Sequence, residues 1–163
     1  MEGSAIFTEA SSTSKRYIDT GLDVSPNDVW EVTYAHIGNS DGNTPVMGGS
    51  YSKTDSNYAI WVENTQKGAY NVQFIFGDGN NTAYRVTAKL ADVTQFHTYK
   101  MDCTTGEAWI DGRYIGQASQ KSSVPNPRKL CILGYWRGNS ASISGHGAIK
   151  VQILNSAIIF CRS

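Results

Sequence analysis

No long apolar run, no block of like charge and no paired-cysteine motif occurs in this sequence. Without a window approaching the ~20 apolar residues that span a bilayer, no membrane partner is expected. Lys plus Arg and Asp plus Glu are each 14, and no basic run is longer than a pair such as Lys15-Arg16. That is too little to neutralise a row of phosphates, so nucleic acid is not an expected partner. The opening Met1-Glu2-Gly3-Ser4 is polar and leads into no apolar segment, so neither a secretion signal nor an anchor is expected. Three cysteines, Cys103, Cys131 and Cys161, are odd in number and widely spaced, which argues against a disulfide framework or a zinc site. They read as buried thiols, although two of them could still pair. No cofactor and no metal is expected.

Helical periodicity is missing too, and what takes its place is alternation of period two, broken by turns among 16 glycines. From Asp28 to Ile37, Trp30, Val32 and Tyr34 alternate with Glu31 and Thr33, the pattern of a half-buried strand. Asn57 to Glu63 puts Tyr58, Ile60 and Val62 on one face and Ala59, Trp61 and Glu63 on the other. Tyr70, Val72, Phe74 and Phe76 alternate with Asn71, Gln73 and Ile75. After the turn Gly77-Asp78-Gly79-Asn80-Asn81, Tyr84, Val86 and Ala88 stand opposite Arg85, Thr87 and Lys89, which completes three antiparallel strands. A strand from Phe96 to Cys103 turns at Thr104-Thr105-Gly106 into Glu107 to Ile110. Asp111-Gly112 then makes a tight hairpin into Tyr114-Ile115-Gly116, because both turn residues tolerate positive φ. A polar loop from Ser119 to Lys129 leads to a strand from Leu130 to Trp136, a Gly/Ser loop, a strand from Ala148 to Leu154, a turn at Asn155-Ser156 and a last strand from Ala157 to Cys161. Ser11 to Ser14 reads as a loop. About a dozen strands without helical crossovers predict a single all-β domain over 1–163, a two-sheet antiparallel β-sandwich.

Three stretches carry a family likeness. Arg16-Tyr17-Ile18-Asp19-Thr20-Gly21, the hairpin Phe96-His97-Thr98-Tyr99-Lys100-Met101-Asp102 with Trp109-Ile110-Asp111-Gly112, and Gly147-Ala148-Ile149-Lys150-Val151 resemble, in that order, motifs of the concanavalin A-like lectin/glucanase superfamily. The likeness is to its laminin-G-like jelly-roll modules in bacterial surface and phage virion proteins, although Phe96 stands where Trp is usual. The resemblance implies a concanavalin A-like jelly roll and says little about ligand.

Glucanases of that superfamily carry acid and nucleophile as a Glu-x-Asp-x-Glu run, since alternate strand residues share a face and carboxylates about 5.5 Å apart suit a retaining mechanism. This sequence has no such run. Glu31 is followed by Thr33 where the Asp would stand, and Glu107 and Asp111 are four residues apart. No catalytic residue is assigned and the protein is not expected to be an enzyme. His97 reads as part of a structural hairpin, sharing parity with Tyr99 and Met101. His36 and His146 have no partner at triad or metal-ligand spacing. Asp78 with Asn80 and Asn81 offers oxygen, but too few positions for a tight Ca²⁺ site, and reads as a turn.

Binding needs aromatic platforms and hydrogen-bonding groups on one exposed surface. Trp61, Arg85 and Trp109 have outward parity on their strands, which suits a sugar-stacking face or a protein interface, unless a loop covers them. The loop carrying Trp136, Arg137 and Asn139 is a second candidate, unless Trp136 only caps the core. By resemblance, the expectation is a non-catalytic, lectin-like bacteriophage virion protein, assembled in the host cytoplasm and displayed on the virion surface. It would decorate the capsid or form part of a fibre, with glycans, a capsid or fibre protein, or further copies of itself as partners. The alternatives are a purely structural assembly module or, further off, a divergent glycoside hydrolase.

Overall fold

The computed structural model describes residues 17–36, 42–50, 56–65, 69–78, 81–137, 140–142, 147–154 and 158–160. In chain order the strands are β1 (Ile18–Asp23), β2 (Val29–His36), β3 (Gly42–Gly48), β4 (Asn57–Thr65), β5 (Ala69–Gly77), β6 (Arg85–Leu90), β7 (His97–Asp102), β8 (Glu107–Ile110), β9 (Arg113–Gln117), β10 (Lys129–Ile132), β11 (Tyr135–Arg137), β12 (Ser140–Ser142), β13 (Gly147–Leu154) and β14 (Ile158–Phe160). Among the described residues the helical content is one 3₁₀ turn, Thr82–Tyr84.

These strands form two six-stranded antiparallel sheets, in the order β1-β10-β3-β4-β5-β6 and β14-β13-β2-β7-β8-β9, with β11 and β12 as a separate hairpin. The alternation in the sequence is what drives the two sheets together. In the first sheet Tyr58, Ile60 and Val62 pair with Phe76, Phe74 and Val72. In the second, Trp30, Val32 and Tyr34 pair with Met101, Tyr99 and His97. Apart from His97, these side chains are essentially buried, in one core. Rings meet across the sandwich: Trp30 lies edge-on to Tyr58 at 6.5 Å, and Phe74 contacts Tyr99 at 6.5 Å. At ~1.5–3 kcal/mol for each large apolar side chain removed from water, this inward row is the main reason the strands adopt one register rather than the slipped one that would turn it to solvent.

Three expectations change. The strand expected from Leu130 to Trp136 is broken, because Leu133 takes a left-handed φ of 60° that a strand cannot carry. β10 therefore stays in the first sheet while β11 leaves it. Gly42–Gly48 is a strand the sequence pattern does not reveal, with its register shifted between Pro45 and Met47, as expected where proline cannot donate to the ladder. Tyr84 belongs to the 3₁₀ turn, capped by the Asn81 side chain accepting the Ala83 N–H at 3.0 Å, and β6 starts one residue later. Asn80, His146 and the turn at 155–156 lie outside the described residues.

Candidate functional site

Parity placed Trp61 and Trp109 outward on their strands, and the topology puts those strands in different sheets. The two rings therefore stand on opposite outer faces of the sandwich and cannot form one surface, which corrects any reading of them as a pair.

On the first sheet, Trp61, Ala59 and Ile75 form a small apolar cluster separate from the main core, with exposures of 5%, 0% and 1%. Half-buried Arg85 pairs with Ile75 on the same face. Their cover comes in part from the chain that β10 releases at Leu133. Tyr135 lies over Trp61, ring centroids 5.3 Å apart and planes at 30°. The Trp136 N–H donates to Gly49 O at 2.9 Å, and Trp136 bridges to Ser50. Burial pushes the Cys131 thiol up to about 12, assisted by Asp19 and opposed by the neighbouring Trp136 side chain. The two surfaces that the sequence offered separately, the Trp61 face and the Trp136 loop, are thus one structure packed on itself. Arg137 pairs with Ser140 through the backbone of the β11–β12 hairpin, its side chain lies outside the description, and Asn139 is outside the described residues.

The outer face of the second sheet is different. Its strands place Glu31, Lys100, Trp109 and Tyr114 in register from β2 to β9, and Asp102, Glu107 and Gln117 in the next row. Trp109 is half-buried, with Lys100 Nζ over its ring at 5.1 Å from the centroid and Tyr114 edge-on at 5.9 Å. Tyr114 itself is 51% exposed, which makes it the accessible ring of the pair. Sequence reasoning passed over Tyr114 and Lys100, yet the signal was there: counting outward from a two-residue turn at Asp111-Gly112 sets 109 opposite 114.

That turn is fixed by a clasp. Asp111 and Gly112 have φ of 52° and 75°, the pair of positive values that lets a two-residue hairpin follow the strand twist. His97 Nδ1 donates to Asp111 Oδ2 at 2.7 Å and Nε2 donates to the Asp92 carbonyl at 2.8 Å, while Asp111 Oδ1 accepts the Thr98 N–H at 2.8 Å. A ring facing acceptors at both nitrogens is best satisfied doubly protonated. Burial opposes that charge, but Asp111 and the Asp92 carbonyl outweigh it and hold the His97 pKa above the ordinary imidazole value. Partial burial of Asp111 is likewise outweighed by the bonds from His97 and Thr98, and its pKa lies below the ordinary carboxylate value. His97 thereby ties β7 to the turn that presents Trp109 and Tyr114. His36, by contrast, is buried against the Tyr34 hydroxyl at 3.0 Å.

No protein-family model matches the chain, and no curated protein sequence matches it. Solved structures do match. Tailspike protein 2 of an Escherichia coli bacteriophage superposes with a TM-score of 0.59 at 13% identity, covering 94% of this chain and 25% of the tailspike. The fold is a concanavalin A-like jelly roll. The CBM40 module of the Ruminococcus gnavus IT-sialidase, bound to α2,3-sialyllactose, gives 0.58 at 12% identity over 96% of this chain and 92% of that one. Mouse laminin α1 domains LG4-5 give 0.50 at 15% over 98% and 49%. The chain spans a quarter of the tailspike's length, and at these identities the likeness shows the fold alone.

Proposed function

We propose that this jelly roll is a non-catalytic, glycan-binding domain of a bacteriophage particle, displayed on the virion as a capsid decoration or within a fibre. The observation that carries the reading is the outer face of the second sheet, where exposed Tyr114 stands beside Trp109 and in line with Lys100 and Glu31. An aromatic ring flanked by charged hydrogen-bonding groups suits the apolar face and the hydroxyls of a sugar. The tailspike and carbohydrate-binding likenesses support the setting.

The carboxylates support binding without hydrolysis. Glu31 and Glu107 lie on β2 and β8 with β7 between them, and they are staggered by one same-face position. Two strand spacings and that stagger put their Cα atoms about 12 Å apart, a wide setting for a pair that must flank one glycosidic bond. Asp111 is taken up by the clasp.

A glycan array followed by titration of tryptophan fluorescence tests the proposal. Binding should perturb the fluorescence, and Tyr114→Ala should weaken it about tenfold, as expected for a lost stacking ring. Release of reducing ends from the bound glycan would overturn the non-catalytic assignment. Silence across the array, with light scattering showing a stable oligomer that Tyr114→Ala dissociates, would replace the glycan reading with that of a structural assembly module.

A further inference from the structure

We propose that His97 is a pH-sensitive latch on the connection between the two sheets: protonated, it holds the β6–β7 loop and the β8–β9 turn together, and on losing its proton it releases the loop while keeping the turn. The latch is independent of the binding reading above and acts without a ligand. β6 ends at Leu90 in the first sheet and β7 begins at His97 in the second, so residues 91–96 carry the chain from one sheet to the other. Two contacts anchor this crossover. Val93 is fully buried in the core and its carbonyl accepts the His36 N–H at 2.8 Å. One residue earlier, the Asp92 carbonyl accepts His97 Nε2–H at 2.8 Å. The Asp92 carboxylate serves its own loop, accepting the Thr94 N–H and hydroxyl at 2.8 and 2.6 Å, so the loop keeps its local shape when His97 lets go.

A neutral imidazole has one N–H and one lone pair, so it cannot donate to both acceptors. The carboxylate is the stronger of the two, because a hydrogen bond to an ionised acceptor is roughly twice as strong as one between neutral groups. The neutral ring therefore keeps its proton on Nδ1, facing Asp111 Oδ2 at 2.7 Å, and turns a lone pair toward the Asp92 carbonyl. Two acceptors then face each other, and the loop is the side that yields. Asp111 from the turn and Asp92 from the loop are the charged groups acting on the ring; burial opposes its charge, and these partners outweigh it. From β2, Tyr34 stands in register with His97, and Tyr99 on β7 lies 6.3 Å away between ring centroids. Burial holds both hydroxyls protonated well above the ordinary phenol range, so neither titrates with the ring. His36 is turned to the Tyr34 hydroxyl.

Nitrogen NMR of the His97 ring and amide hydrogen exchange on the full chain, both followed against pH, test the latch. Three amides report separately: His36 N–H, bonded to Val93 O, reads the loop; Thr98 N–H, bonded to Asp111 Oδ1, reads the turn; Cys103 N–H, bonded to Asp28 O beyond the far end of β7, reads the sheet as a whole. As pH rises through the His97 titration, Nε2 should lose its proton and Nδ1 keep it. The protection of His36, corrected for intrinsic exchange, should fall about fivefold, the worth of one hydrogen bond, while Thr98 and Cys103 hold theirs. Asp111→Asn should abolish this dependence, because the amide introduced there can donate to the Nδ1 lone pair and leaves Nε2–H on the Asp92 carbonyl at every pH. Asp92→Asn keeps that carbonyl and removes one charge, so the same loss should occur at lower pH, in step with the ring's own titration; it decides the matter if Cys103 shows that Asp111→Asn does not fold. Constant His36 protection across the titration, loss at Thr98 in its place, release persisting in a folded Asp111→Asn, or a midpoint that Asp92→Asn leaves unmoved each overturns the proposal.

Discussion

Replacing Trp61 by Ala measures how far outward parity and exposure differ. Trp61 points away from the main core yet is only 5% exposed, under the Tyr135 ring. Truncating a buried Trp costs ~3–5 kcal/mol, and the lost ring pair accounts for ~0.5–1.5 kcal/mol of that class of contact. Against a total stability of ~5–15 kcal/mol for a domain, such a loss is large. The cluster is a satellite of the core, so the loss has an upper limit: once it exceeds whatever holds the β11–β12 hairpin down, the hairpin lifts and the sandwich beneath stays folded. Two measurements separate these regimes. Urea unfolding gives the shift in midpoint at constant slope, and hydrogen exchange at the Trp136 amide, bonded to Gly49 O, reports lifting of the hairpin. Trp109→Ala, which removes a half-buried ring with one cation–π and one edge contact, should cost only ~1 kcal/mol. A Trp61→Ala midpoint shift no larger than that of Trp109→Ala, together with unchanged exchange at Trp136, would refute the burial argument.

Other consequences follow from the clasp, the close packing and the thiols. Because the His97 pKa is raised, its contribution to stability is complete below the unfolded value of about 6.5 and fades as pH rises through the folded one. Because the Asp111 pKa is lowered, its contribution is present above about 3.9 and is lost as pH falls through the folded value. The melting temperature should therefore plateau between those limits, and Asp111→Asn should lower the plateau by an amount worth ~1 kcal/mol, given the exposure of the pair. Gly49→Ala would place a Cβ 2.6 Å from the buried Asn126 amide nitrogen and 2.9 Å from Val24, so urea denaturation should show a loss of ~1–3 kcal/mol. In a Cys161→Ser variant, Cys103 and Cys131, both buried with raised pKa values, should resist a thiol-labelling reagent at neutral pH over the time in which the urea-unfolded chain labels fully.

Where a residue's role was set by its own strand, the sequence displayed it. Trp30, Val32 and Tyr34 announce a strand and its inner face by alternation alone, and Asp111-Gly112 announces its hairpin through the φ values it permits. Gly42–Gly48 was hidden because Pro45 and its glycines are poor strand formers, held in the ladder by neighbours on both sides. Trp61 shows a different limit. Its side of the sheet is a local property, but its cover includes Tyr135, distant in sequence and brought back by a left-handed turn at Leu133 that no periodicity foretells. Site residues suffer most from this, since exposure depends on the whole chain. Trp109 kept its solvent-facing edge and Trp61 did not, although both had the same parity.

A sandwich with one outer face partly roofed by its own chain and an exposed ring, Tyr114, on the other has a front and a back. If Tyr114 marks its contact patch, each copy presents that patch from one side only. For such a domain, grip on a repeating surface is governed by how many copies share a scaffold and whether their fronts point together. Linking weak patches on one scaffold can raise overall avidity by ~10²–10⁴ without any new contact, and the gain vanishes when the geometry forbids simultaneous engagement.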